Sequence, residues 1–130
     1  MINNVTHLTI LVKDQDAALK FYTEKLGFIV HTDVTIENNF RWLTISLPDK
    51  KDFEIALMPA MTPEQQALVG KQTPGMPLCS MSTSNCKKTY EEFKAHGVEF
   101  IQEPTQRPWG IEAIFKDQDG TLLHINQEIR

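Results

Sequence analysis

Short runs of apolar and β-branched residues, separated by polar turns, mark the first half of the chain. Residues 5–12 (VTHLTILV) have the composition of a buried strand. A helical apolar stripe follows, which Asp14 or Asp16 can cap and which Gly27 can end in a left-handed conformation. Three more strand-like runs come next, at residues 28–33, 40–46 and 53–58. The pattern predicts one strand, one helix and three further strands.

The same order of elements returns in the second half. A strand-like run at residues 78–82 precedes a helical segment at residues 85–96, which ends at Gly97. Further strand-like runs follow at residues 98–102, 111–116 and 122–126. The two halves therefore repeat at an offset of about 70 residues, judged by the order of elements rather than by identity.

This repeat predicts an α+β fold of two tandem βαβββ modules that form a shared half-barrel cleft. Module one covers about residues 4–60 and module two about residues 76–128, with a proline-containing connector at about residues 61–75. We expect residues 1–130 to form a single domain. A cleft between repeats is a natural place for a small-molecule ligand.

Composition narrows the class of protein. Of the 130 residues, 41% are hydrophobic and 23% are charged, as in ordinary globular domains. The net charge of -4 argues against nucleic-acid binding by charge, and the chain has no run of about 18 apolar residues that could span a membrane. No basic-then-apolar leader follows Met1, and Cys79 and Cys86 lack the spacing of a metal or disulfide framework. We therefore expect a reduced, cytoplasmic protein.

Two histidines and one glutamate stand in strands where polar groups are costly unless they are paired. His7 lies in the first predicted strand, and His124 lies in the last, among apolar neighbours. The repeat offset places His124 over Glu54, a carboxylate inside the apolar run FEIAL, and places Leu78 over His7. Two imidazoles and a carboxylate can hold Fe, Zn, Ni or Mn and leave positions open for substrate. Alternatively, the histidines are structural and Glu54 faces solvent.

Four further residues are candidates for contacts with a substrate. Trp42 and Glu112 correspond to each other under the repeat offset, and both can line the cleft. Trp109 stands in a loop, where an amphipathic indole can cover a ligand. Leu78 would add an apolar wall. The alternatives are that Trp42 belongs to the core and that Trp109 plugs the rim of the barrel.

The chain resembles the vicinal oxygen chelate superfamily, which includes glyoxalase I, extradiol dioxygenases, and bleomycin- and fosfomycin-resistance proteins. The resemblance covers residues 4–128 and rests on HLTILVKDQDAALKFYTEKLGF, AHGVEF and RPWGIEAIFKDQDGTLLHINQ. It implies paired βαβββ modules and a homodimer. It also implies metal ligands from the first and last strands of each module, which here are His7, Glu54, Leu78 and His124. Leu78 stands where a histidine is common, and His124 stands where a glutamate is usual, so three ligands remain.

The resemblance implies two functions, of which we favour the first. The first is a metal-dependent lyase, isomerase or dioxygenase that chelates a small oxygenated substrate. His7, Glu54 and His124 would bind the metal, and Glu54 would also be the catalytic base. The alternative is a metal-free, antibiotic-type binding or resistance protein, which traps a flat or aromatic compound against Trp42 and Trp109. A dimeric scaffold whose site has decayed is a third hypothesis.

Overall fold

The computed structural model describes residues 1–128, which fall into two compact units, Met1–Val69 and a second unit that begins at Gly70. The first unit contains β1 (His7–Val12), α1 (Gln15–Lys20), β2 (Ile29–Ile36), β3 (Phe40–Leu47), β4 (Lys50–Pro59) and α2 (Pro63–Leu68). The second unit contains β5 (Cys79–Ser82), α3 (Cys86–Ala95), β6 (Glu99–Arg107), β7 (Gly110–Lys116) and β8 (Leu122–Glu128). The α+β class and the two tandem βαβββ modules are thus confirmed.

Each unit has a four-stranded mixed sheet with the same topology. The strand orders are β1-β4-β3-β2 and β5-β8-β7-β6. In each sheet the first strand runs parallel to the last, and the other pairs are antiparallel. The helix carries the chain back across one face of the sheet, as parallel pairing requires. The first and last strands of a module therefore become direct neighbours.

The cap of each helix determines where the helix begins, and its apolar side determines which face packs on the sheet. Asp14 caps α1, since its carboxylate accepts from the backbone N–H groups of Asp16 and Ala17 at 2.8 and 3.3 Å. The helix continues as a π-helical turn at Phe21–Lys25. Alternate strand residues face this helix, so the core of the unit lies on one face of its sheet. Its buried residues include Ile10, Val12, Ala18, Phe21, Tyr22, Phe28, Leu43, Ile45, Ile55 and Leu57.

The second unit repeats this packing with an aromatic cluster. Asn85 caps α3 by accepting from the backbone N–H of Lys88 at 3.0 Å. From α3, Phe93 packs edge-to-face on Phe115, with ring centroids 5.5 Å apart. Ala113, Phe115, Leu123 and Ile125 are buried on the same sheet face. The alternate residues of β7 and β8 point to the opposite face, which carries the polar side chains described below.

The strand bounds differ from the sequence prediction most at β6, and β2 and β4 are also longer than predicted. Strand β6 continues to Arg107 instead of ending at residue 102, although it contains Pro104. Pro104 is tolerated because β6 is an edge strand whose register shifts between Gln102 and Thr105, so no ladder donor is needed there. The connector contains α2, which Thr62 and Gln65 begin as a reciprocal capping box. No helix within residues 1–128 is long and apolar enough to cross a membrane.

Gly70 provides a direct test of the packing in the second unit. It has φ +75°, and a Cβ at this position would lie 2.2 Å from the backbone oxygen of Asp119. Gly75 has the same φ, but a Cβ there would meet nothing within 4 Å. We expect G75A to lower the free energy of unfolding by about 1 kcal/mol, the cost of a left-handed L-residue. G70A should cost about 2–4 kcal/mol because it adds a backbone collision.

Urea unfolding of the two variants and the wild type measures this difference. The pair is matched, since both changes are glycine to alanine at positive φ. Equal losses of stability in G70A and G75A would contradict the close approach of Gly70 to the Asp119 turn.

Candidate functional site

The polar face of the second sheet brings together Ser80, Glu112 and His124. Ser80 lies opposite His124 in the parallel register of β5 and β8. The hydroxyl oxygen of Ser80 is 3.0 Å from Nδ1 of His124, and Nε2 of the same ring is 3.1 Å from Oε1 of Glu112. Side chains from β5, β8 and β7 thus form one continuous series of hydrogen bonds across the sheet.

Glu112 is the centre of this network, and its side chain is only 11% exposed. Oε1 accepts from Nε1 of Trp109 at 3.0 Å as well as from His124. Oε2 accepts from Nε2 of Gln102 at 3.2 Å and from Nε of Arg107 at 3.4 Å. We refer to Gln102, Arg107, Trp109, Glu112 and His124 as the Glu112 network.

The network fixes the charge of Glu112 and the tautomer of His124. Burial, the largest single influence, raises the pKa of Glu112, but the four hydrogen bonds from Trp109, Gln102, His124 and Arg107 together lower it to about 2. The carboxylate is therefore ionised at neutral pH and can only accept. Nε2 of His124 must then donate, which leaves Nδ1 of the neutral ring to accept from the Ser80 hydroxyl.

Trp109 places an aromatic surface beside this network. It lies in the two-residue turn between β6 and β7, and it is 61% exposed. Its indole N–H is held by Glu112, so the exposed ring is anchored at one end. An anchored, exposed indole is suited to contact a flat apolar or aromatic group.

The first unit carries a related arrangement on the corresponding face. His7 lies opposite Glu54 in the parallel register of β1 and β4, and its ring packs edge-on to Trp42 with centroids 5.4 Å apart. Oε1 of Glu54 accepts from the buried Thr44 hydroxyl at 2.7 Å. Nδ1 of His31 is 2.9 Å from the same oxygen and forms an ion pair whenever the imidazole is protonated. Glu54 therefore does not project unpaired into solvent.

Two of these partners cannot be recognised from the local sequence. The strand of His31 runs into polar sequence, and only the fold brings this residue to Glu54. Thr44 is an uncharged residue within an otherwise apolar part of the predicted strand at residues 40–46. Its hydroxyl is the available signal, since a buried hydroxyl needs a partner.

The repeat offset also misplaced the counterpart of His7. Counting back from the helix lands on Leu78, whereas the sheet register places Ser80 opposite His124, just as His7 lies opposite Glu54. The reason is that the segment from Ser80 to the cap at Asn85 is two residues shorter than the corresponding segment from His7 to Asp14. Leu78 precedes β5, and its backbone N–H donates to the carbonyl of Leu122.

His7, Glu54 and His124, the metal ligands expected from the sequence, each have a partner within their own unit. Residues 1–128 contain no group of three or more His, Cys, Asp or Glu side chains placed to hold a metal ion. Both ring nitrogens of His124 are engaged by Ser80 and Glu112, and the Glu54 carboxylate is engaged by Thr44 and His31. The metal site of His7, Glu54 and His124 therefore stays a prediction.

The low pKa of Glu112 predicts a specific loss of stability in acid. Because this pKa falls from its ordinary value of 4.5 to about 2 on folding, the stabilisation is present above pH 4.5 and is lost as the pH falls towards 2. E112Q should be less stable than the wild type at neutral pH. The difference in the free energy of unfolding should shrink below pH 4.5. Urea titrations across this range measure it, with E103Q, at an exposed glutamate, as the control. A difference that is independent of pH would contradict the assignment.

Several known proteins are similar to this chain over nearly its whole length. The chain is 39% identical over 122 residues to the uncharacterized protein YurT of Bacillus subtilis (strain 168), covering 92% of this chain and 95% of YurT. The structure of UcmS2 superposes with a TM-score of 0.88 at 38% identity, over 98% of this chain and 100% of UcmS2. TnmS3, described as an antibiotic binding protein from Streptomyces sp. CB03234, superposes with a TM-score of 0.83 at 26% identity, over 98% of both chains.

The family assignment agrees with these similarities. The model of the Glyoxalase/Bleomycin resistance protein/Dioxygenase superfamily matches residues 4–125, which contain both βαβββ modules almost completely. This match confirms the resemblance noted in the sequence. The chain belongs to the Glyoxalase/Bleomycin resistance protein/Dioxygenase superfamily.

Proposed function

We propose that this protein binds and sequesters a small, flat, uncharged aromatic compound. The observation that carries the proposal is the exposed indole of Trp109, which Glu112 anchors beside the polar face of the second sheet. A rigid indole offers a large contact area at a low cost in conformational entropy. Trp42 beside His7 offers a second aromatic surface in the first unit.

The charges of the Glu112 network favour an uncharged ligand. Arg107 and Glu112 form an ion pair at 3.4 Å, so their charges offset each other within the network. The neutral form of His124 is satisfied by Ser80 and Glu112. A charged ligand would have to leave water without gaining an unpaired opposite charge from these groups.

The similarity to TnmS3 supports the same class of function. That protein is described as an antibiotic binding protein, and its likeness extends over nearly the whole of both chains. Binding of an antibiotic-type compound would make this chain a resistance protein, as the second hypothesis from the sequence has it. We further propose that it acts as a cytoplasmic homodimer.

Removal of the Trp109 ring tests the proposal. We expect the wild type to bind 1,5-dihydroxynaphthalene and to bind the dianionic 1,5-naphthalenedisulfonate, which has the same ring system, much more weakly. W109A should weaken binding of the dihydroxy compound by about tenfold, as expected for a lost aromatic contact of about 1.4 kcal/mol. Isothermal titration calorimetry measures these affinities.

I101A is the matched control, because Ile101 is also a large exposed apolar side chain in the second unit. It should bind the probe as the wild type does. The proposal is wrong if the wild type binds neither naphthalene, or if W109A retains the wild-type affinity.

A metal-dependent enzyme is the second candidate, and a specific observation favours it. His7 and Glu54 lie opposite each other on neighbouring strands, so an imidazole and a carboxylate start from adjacent backbone positions. A divalent ion bound there would supply Lewis acidity to a chelated substrate. The reaction class stays open among lyase, isomerase and dioxygenase chemistry.

Metal analysis of protein purified without chelator tests this second candidate. If it is correct, the wild type should contain or take up close to one equivalent of Fe, Zn, Ni or Mn. E54Q should lose most of that metal, while E103Q should keep it. A wild type that takes up none of the four ions would exclude the candidate.

A further inference from the structure

We propose that Glu112 is a positioning residue of the binding site: it holds the indole of Trp109 in the orientation that receives the ligand and does not contact the ligand itself. This inference rests on the proposed binding function. It assigns to Glu112 a role different from the direct substrate contact expected from the sequence.

The hydrogen-bond capacity of the carboxylate supports this assignment. An ionised carboxylate has about four lone-pair directions for acceptance. In Glu112 all four are used, by Trp109 and His124 on Oε1 and by Gln102 and Arg107 on Oε2. A ligand hydroxyl or amine would have to displace one of these donors to reach it.

The low exposure of the Glu112 side chain also supports a positioning role. The side chain of Glu112 is 11% exposed, whereas Trp109, which it holds, is 61% exposed. The hydrogen bond between them joins a shielded anchor to an accessible ring. Within this pair, the indole is therefore the surface that a ligand meets, and Glu112 acts through it.

The hydrogen bond also explains why an exposed ring would stay ordered. A tryptophan in a two-residue turn can otherwise adopt several rotamers, and each side chain immobilised on binding costs about 0.5–1.5 kcal/mol. The bond to Glu112 restricts the ring before the ligand arrives. Loss of the bond should therefore weaken binding even when the aromatic ring is retained.

A double-mutant cycle with W109F and E112A separates this role from others. Phe keeps an aromatic ring but has no N–H, and Ala has no side-chain acceptor for the indole N–H. We expect each single variant to weaken binding of 1,5-dihydroxynaphthalene by about threefold to tenfold. The double variant should be no weaker than the weaker single variant, because both changes remove the same contact.

Losses that multiply in the double variant would overturn the inference, because Glu112 would then act independently of Trp109. Wild-type affinity in W109F would also overturn it, and this arm does not depend on whether E112A folds. E103A, at an exposed glutamate, is the control for removal of a carboxylate and should bind as the wild type does.

Circular dichroism tests the inference without a ligand. The chain has two tryptophans, so in W42F the near-ultraviolet indole band reports Trp109 alone. Adding E112A should remove most of this band while the far-ultraviolet spectrum is retained, and adding E103A should leave it unchanged. An unchanged band in W42F/E112A would overturn the inference. Failure of the wild type to bind the naphthalene probe would instead count against the proposed function, so the two failures are distinguishable.

Discussion

Parallel pairing of the first strand with the last is the constraint on which each unit depends. It brings β1 beside β4 and β5 beside β8, although a helix and two strands separate the partners along the chain. His7 thereby meets Glu54, and Ser80 meets His124. The helix covers one face of each sheet and buries the apolar residues, so the polar members of the alternating pattern collect on the other face. The candidate site residues are a consequence of this single arrangement.

Each unit also has to accommodate a carboxylate in its sheet. An uncompensated buried charge is costly, and in both units side chains from neighbouring strands partner the carboxylate. Glu54 has the hydroxyl of Thr44 and the imidazole of His31 as partners, and Glu112 has four donors. The two carboxylates differ in their surroundings. Glu112 already accepts four hydrogen bonds. Glu54 lies opposite the imidazole of His7 in the register of β1 and β4, whereas the corresponding pair of the second unit is Ser80 and His124. The two carboxylates therefore differ in the number of partners that hold them.

Membership of the superfamily establishes the fold and leaves the chemistry to the individual site. The sequence predicted that His124 departs from the usual glutamate and that Leu78 departs from the usual histidine. In the structure, His124 is tied to Ser80 and Glu112, which satisfies the ring without a metal. The most accessible feature of the same network is an aromatic ring, and an aromatic surface selects ligands by shape and polarity.

The order of elements can be predicted from the sequence alone, because strand-like apolar runs, helix-capping side chains and the glycines that end helices act over a few residues. The same local patterns mark His7, Glu54 and His124 as polar residues that require partners. The identity of those partners depends on the three-dimensional fold. Strand register brings Ser80, Thr44 and His31 to their partners. The segment between the first strand and the helix cap is two residues shorter in the second unit, so the counterpart of His7 is Ser80 rather than Leu78. Local sequence patterns do not specify the register between distant strands, since that register depends on how the whole faces of a sheet pack. The four donors to Glu112 could therefore not be predicted from the sequence.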